Sequence, residues 1–255
     1  MTATPAPTRL EAVLLGRRVP FGPAGELSAI QKTPVSGAVA LESTGLRGDE
    51  QAEHGHGGPD KALLHYPAEH YQLWRNRHPS FRLTPGGLGE NLSTMGMTEG
   101  TVCIGDRFRV HLPGQIVADT TKGSGAENRN EVVLELSEPR QPCWKLGHNA
   151  GVRELPLLIQ QEAATGWYYR VITAGVVAAG ATLELISRPH PDWPLERIIR
   201  GVYETPPDPE FLSSLISLPE LGAGWRALAA KRLETGTVED WKGRLYGPFA
   251  TKVQD

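Results

Sequence analysis

The sequence predicts a mainly β protein, an all-β barrel or sandwich with a few helices, followed by a small three-helix unit at its C-terminal end. Three observations predict it. Short β-branched and aliphatic runs recur between Gly and Pro clusters, at 11–16, 29–32, 38–41, 61–66, 102–104, 108–112, 131–136, 167–173 and 182–186, as in a barrel with irregular connections. Twenty-nine glycines supply turns for so many short strands. After Arg188 the strand-like runs stop, and Pro189, Pro191 and Pro194 lead into residues patterned as helices.

Two helices interrupt the strands. One spans 67–78, with Pro67 at the first helical position, where a fixed φ suits the helix and the missing N–H costs nothing, and Pro79 behind its end. The other spans 152–164, stops at Gly166, and carries Leu155, Leu158, Ile159 and Ala163 on one side, a face suited to plugging one end of the barrel. The division expected is a β-barrel domain at 1–188 and a three-helix domain with its tail at 189–255. In the second unit one helix follows Asp192. The next has Asp208 as N-cap and Pro209 at its first position, and a third begins near Pro219 with Leu221, Trp225 and Leu228 on its buried face. The stretch 113–130 is polar, rich in Gly and Thr, and reads as a long loop.

Composition excludes several classes of function. With 39% hydrophobic and 22% charged residues the chain has the make-up of a globular protein. A formal charge of -3 offers no footprint for phosphate backbones. The segment 190–255 carries 8 Lys and Arg against 10 Asp and Glu, so its three helices lack the basic face of a DNA reader. No run approaches the roughly 18 apolar residues of a membrane span. No nucleic-acid or membrane partner is expected. Two cysteines, Cys103 and Cys143, are too few for a disulfide framework, and with no leader pattern at the start they point to the cytoplasm.

Three segments could carry chemistry. In GDEQAEHGHGGPDKALLHYPAEHYQLW (48–74), Gly57 and Gly58 let the backbone approach a ligand, and a turn of N–H groups there would cradle an anion between His56 and Lys61. The same residues also fit a plain tight turn. His54, His56, His65 and His70 raise zinc, but no cysteine is near and the spacing does not suit a closed site. In GGLGENLSTMGMTEGTVCIGDRF (86–108), Asn91 enters a strand after a turn, where an amide can offer donors and an acceptor to a heterocycle. Cys103 there reads as a small buried hydrophobe. In SEPRQPCWKLGHNAG (137–151), Cys143 follows a strand, is held in an extended loop by Pro139 and Pro142, and has Arg140 and Lys145 nearby. Cationic surroundings favour a thiolate, and a thiolate is a soft metal ligand. A merely buried cysteine remains an equal reading of these residues alone.

The ordered set GDEQAE, HGGPDKAL, YPAEHYQLW, GENLST, PRQPCWKL and GWYYRVITAG, with the helical tail behind it, resembles the MOSC family in its YiiM-like branch, over most of the chain. The resemblance implies a MOSC-type β-barrel carrying the molybdenum cofactor, Mo-molybdopterin, in a surface pocket. It places Cys143 at the position of the catalytic, metal-ligating cysteine. It also places His56, Gly57, Lys61, Asn91 and Arg140 on loops lining the pterin and its phosphate. The branch implies a molybdenum-dependent reductase of N-hydroxylated bases such as 6-hydroxylaminopurine, a detoxifying activity that consumes two electrons and two protons and releases water. Nothing in the chain resembles a flavin or nicotinamide site, so the resemblance implies a separate flavin-containing reductase as electron donor. The stretch 113–130 is longer than the family pattern, which would place a cover over the pocket. A persulfide sulfur carrier using Cys143 is the runner-up. A non-catalytic binding module with a buried Cys143 is the third reading.

Overall fold

The computed structural model describes residues 5–22, 25–52, 55, 57–114 and 131–248. His54, His56 and the larger part of the 113–130 stretch lie outside them. The strands are β1 (Thr8–Gly16), β2 (Val19–Phe21), β3 (Glu26–Ser28), β4 (Lys32–Pro34), β5 (Ala38–Glu42), β6 (Gly45–Leu46), β7 (Leu63–His65), β8 (Leu92–Thr94), β9 (Arg107–His111), β10 (Val132–Pro139), β11 (Trp167–Thr173), β12 (Gly175–Ala178) and β13 (Thr182–Ser187). The helices are α1 (Glu69–Arg77), α2 (Trp144–Ala150), α3 (Leu155–Gln161), α4 (Leu195–Val202), α5 (Pro209–Ile216), α6 (Ala223–Thr235) and α7 (Lys242–Tyr246), with a 3-10 turn at Pro59–Lys61.

Seven strands run β13-β9-β10-β11-β7-β8-β1 and close where β1 pairs with β13 (Thr8 opposite Leu183). Closure removes the free edges that an open sheet of this size would expose. Every neighbouring pair in the ring is antiparallel except β7 and β8. The far end of β1 pairs with β4, and β12-β5-β6 and β2-β3 form small satellite sheets. The barrel core gathers Leu10, Val13, Leu63, Phe108, Leu134 and Trp167 and continues into Leu195, Ile198 and Ile199 of α4, Leu212 and Leu215 of α5, and Trp225 of α6. Each such leucine removed from water stabilises the fold by about 2 kcal/mol. Strand β10 is buried along nearly its whole length, so it reads as a continuous apolar run broken only by Glu135, Ser137 and Glu138.

A second cluster lies under α1, α2 and α3 and holds Tyr71, Trp74, Leu146, Leu155 and Ile159. The helix expected to plug the barrel packs here, whereas α4, α5 and α6 of the C-terminal unit join the barrel core.

Several expected boundaries change for local reasons. Of the 29–32 run only Lys32 lies in a strand, at the start of β4: Ala29 and Ile30 are buried between β3 and β4, and Ile30 N–H is taken by Ser28 Oγ at 3.2 Å. The 102–104 run makes only an isolated bridge between Cys103 and Pro194, because Trp193 and Leu195 of the proline-rich connection supply its backbone partners at 3.0 Å each. That connection is therefore pinned to the barrel, and Arg188 before it is paired with Asp106 at 2.7 Å. Strand β7 begins at Leu63, since Lys61 ends the 3-10 turn. Helix α1 begins at Glu69 and leaves Pro67 to accept from His70 N–H at 3.2 Å. The expected 152–164 helix is confined to α3, with Ala163 at φ 55 beyond its end. Helix α2, unforeseen, ends at Gly151 in the left-handed region (φ 67). In the tail, the Asp208 side chain accepts from Glu210 N–H at 2.9 Å as an N-cap should. Helix α6 begins at Ala223, four residues past Pro219, and α7 is a fourth helix. No described helix is long and apolar enough to cross a membrane.

Candidate functional site

Strand β10 ends at Pro139, four residues lead out of the barrel, and α2 begins at Trp144. Arg140 N–H donates to Gly166 O at 3.0 Å, so this exit stays in register with the start of β11. Cys143 is the last extended residue (φ -128, ψ 165) and is half-buried. A cleft opens beside it. Gly57, Lys61, Asn91, Arg140 and Cys143 all line this cleft. Three distant stretches of sequence thus converge there. Of the expected site residues, His56 lies outside the described residues.

Each lining residue is held differently. Gly57 and Gly58 have φ of 89 and 82, which favours glycine, and a Cβ on Gly57 would lie 1.7 Å from Oε1 of Gln51. The turn is a cradle only without side chains. Lys61 Nζ donates to Gly55 O at 2.8 Å, lies 3.5 Å from Oε1 of Glu138, and stands over the Tyr168 ring at 5.8 Å. The preceding residue fixes the turn: Asp60 accepts from Arg170 Nε at 2.6 Å and from Ala223 N–H at 3.1 Å, tying it to β11 and to the start of α6.

Arg140 is 6% exposed and donates from Nη1 to Leu88 O at 2.7 Å. Its charge also acts on the buried Glu90 carboxyl, and the residue lines the cleft. Asn91 is already committed: Nδ2 donates to Leu14 O at 3.2 Å and to Asp49 at 2.8 Å, and Oδ1 accepts from Leu64 N–H at 3.1 Å. Its amide braces the cleft wall and has no donor to spare.

Sequence reasoning did not single out Lys32 or Tyr168, and treated Lys145 only as a neighbour of Cys143. Lys32 Nζ meets Asp49 at 2.5 and 2.6 Å, with both side chains nearly buried. Burial pushes the Lys32 pKa down, against the opposing pull of Asp49. Lys145, 5% exposed, donates from Nζ to Leu27 O at 3.0 Å. Among the described residues the cleft is thus lined by Lys32, Lys61, Arg140 and Lys145 against one carboxylate, Glu50, which is turned to Arg17 and the N–H of Arg18. Such a wall suits an anion. A buried lysine next to an apolar run, as in SAIQKTP, is the signal that could have marked Lys32.

The other candidates serve the fold. Cys103 is fully buried. His65 is fully buried, stacks on Trp167 with ring centroids 4.4 Å apart, and bonds Thr94 Oγ1 at 2.8 Å. Burial lowers its pKa to about 3. His70 pairs with Glu99 at 2.8 Å, and Trp74 donates to Tyr66 OH. Among the described residues no three His, Cys, Asp or Glu side chains are grouped to hold a metal ion. Any metal at this cleft would rest on Cys143 and on ligands brought with it.

Residues 52–184 match the MOSC domain family model, and residues 193–236 match that of the YiiM-like 3-alpha helix domain. Protein YiiM of Escherichia coli (strain K12) is 37% identical over 228 residues, which cover 88% of this chain and 93% of that one. A protein named Reductase from Gibberella moniliformis is 36% identical over 205 residues, 78% of this chain and 33% of that longer one. The crystal structure of YiiM from Escherichia coli superimposes with a TM-score of 0.73 at 30% identity, covering 95% of this chain and all of that one. On the closed barrel, the helical tail and these matches, the chain belongs to the MOSC domain family, in its YiiM-like branch.

Proposed function

We propose that the cleft holds the molybdenum cofactor and that the protein is a reductase of small N-hydroxylated compounds, of the 6-hydroxylaminopurine type, with Cys143 as the protein's ligand to the metal. The observation that carries this reading is the meeting of a half-buried thiol with four cationic side chains and a glycine cradle in one cleft. The residues present fit the group: the Gly57–Gly58 turn leaves room for backbone approach, and the Arg140 fork can take a phosphate in a bidentate way or stack on a flat ring. His56, next to that turn, belongs to the same proposed binding set, as do Lys61 and Asn91.

When bound, the cofactor supplies a two-electron centre for reductive cleavage of an N–O bond. The chain's own residues bind and orient. Lys61 contributes a point charge held by Gly55, Asn91 stiffens the wall, and the Cys143 sulfur offers a soft donor whose direction the four-residue exit from β10 fixes. In this reading electrons come from a separate flavin-containing reductase, as the resemblance to the YiiM-like branch implies. The relative named Reductase supports the general activity, and two free cysteines suit the reducing cytoplasm. The two units are taken as 1–188 and 189–255.

Conversion of 6-hydroxylaminopurine to adenine by the loaded protein, driven by a reduced dye in place of the reductase, tests the activity. Turnover abolished by Cys143→Ser is expected. Turnover unchanged by that substitution overturns the assignment.

A further inference from the structure

A second pocket also opens beside Cys143. Lys61, Cys143 and Tyr168 line both spaces. The outer wall of the second one comes from the C-terminal helices: Gly224 and Trp225 at the start of α6, and Arg244 of α7. Its barrel wall carries Glu138, near the end of β10, with a side chain only 3% exposed.

Glu138 is boxed in by both units. Oε1 lies 3.5 Å from Lys61 Nζ, and Oε2 is so near Gly222 that an added Cβ there would sit 1.8 Å from it. Gly222 N–H also donates to Ser137 O at 2.9 Å, which clamps the start of α6 to β10 beside the carboxyl. Arg244 is anchored on the exit loop by Pro142 O and on α3 by Gln160 Oε1 at 2.8 Å. Burial pushes the Glu138 carboxyl up to about 7 against the pull of Lys61, with Asp60 raising it further and Arg170 lowering it. An acid of this kind holds its proton near neutral pH and can give it up there.

We propose that the second cavity is the substrate chamber, roofed by the C-terminal helices, and that Glu138 is a catalytic acid that protonates the departing oxygen of an N–OH group bound in it. The proposal rests on the reductase reading. The N–O bond breaks and its oxygen leaves as water, R–NHOH + 2e⁻ + 2H⁺ giving R–NH2 + H2O, with the two electrons being what the molybdenum cofactor would supply when bound. One proton comes from Glu138 and goes to oxygen. The other comes from solvent and goes to nitrogen. The carboxylate left behind is stabilised by Lys61 and recovers its proton from solvent. The helical unit thereby has a role in the site beyond packing.

The test combines turnover with a readout that needs no turnover. In cofactor-loaded protein with 6-hydroxylaminopurine, kcat/KM is expected to fall as pH rises through about 7. Glu138→Gln is expected to lower kcat by about a hundredfold and remove that limb while leaving molybdenum content unchanged, and Glu138→Asp is expected to restore part of the rate. Independently, carboxyl ¹³C spectra of glutamate-labelled protein should show one resonance titrating near neutral pH that vanishes in Glu138→Gln. A Glu138→Gln protein with full molybdenum and a wild-type rate and pH profile overturns the acid and leaves the reductase standing. A carboxyl midpoint below about 5, near the ordinary glutamate value, overturns the acid even if the variant misfolds. Wild-type protein that carries no molybdenum overturns both.

Discussion

Lys32 and Asp49 form a nearly buried ion pair directly beneath the cleft, with Nζ 2.5 and 2.6 Å from the two carboxylate oxygens. Asp49 also accepts from Gly16 N–H at 2.8 Å and from Asn91 Nδ2 at 2.8 Å. One carboxylate therefore joins β1, β4 and the start of β8 under the Cys143 cleft. Removing one member leaves the other charge buried and unpaired, which costs several kilocalories.

The first prediction follows from that pair. Asp49→Ala is expected to destabilise the fold by roughly 3–5 kcal/mol in urea unfolding. Replacing both residues by apolar ones of similar size should recover most of the loss, because no orphan charge remains. Equal losses in the single and double variants would locate the cost elsewhere.

A second prediction concerns acid. His65 has a folded-state pKa lowered by burial from 6.5 to about 3. Its neutral form therefore contributes stability that is complete above pH 6.5 and is lost as pH falls toward 3, to the extent of about 5 kcal/mol. Unfolding free energies of wild type and His65→Phe, compared across that window, should converge as pH falls. The difference isolates His65 from Glu138, whose raised pKa acts with the opposite sign between 4.5 and about 7. A gap constant with pH would contradict the neutral, buried imidazole.

Arg140 separates binding from folding. Arg140→Ala removes the fork from the cleft and one hydrogen bond from Leu88 O, a loss worth about 1–3 kcal/mol. Pterin retained after gel filtration is expected to fall about tenfold or more, a shift of at least 1.4 kcal/mol in binding, while the thermal midpoint falls by no more than the roughly 2–10 °C that such a stability loss brings in a chain of this size. Retention that falls only in step with thermal stability would make Arg140 structural.

Patterning alone made the barrel legible because its longer strands, β1, β9, β10, β11 and β13, repeat apolar residues between strong turn signals. Short pieces escaped for physical reasons. Strands β6 and β8 span two and three residues, too few for a period to register. Helix α2 escaped because Pro142 and Cys143 read as extended, which they are, and because the sequence from Trp144 onward carries two glycines close together. The pinning of 102–104 by the proline-rich connection is a contact across 90 positions that no local pattern reports. At the cleft, Cys143, Arg140 and the glycine turn stood out through chemistry that is unusual for their surroundings. Lys32 and Glu138 did not, since a charge inside an apolar run shows its meaning only when its buried partner is known. Asn91 stood out for its position, but the structure spends both of its amide protons on the protein.

Molybdenum and pterin content of protein produced in a cofactor-competent host, measured for wild type and Cys143→Ser side by side, bears most directly on the site. Near-stoichiometric molybdenum in the wild type, lost from the serine variant while its fold is kept, is the predicted result. Metal far below one atom per chain and indifferent to the substitution, with sulfane sulfur on the thiol, would contradict it and turn Cys143 into a sulfur carrier.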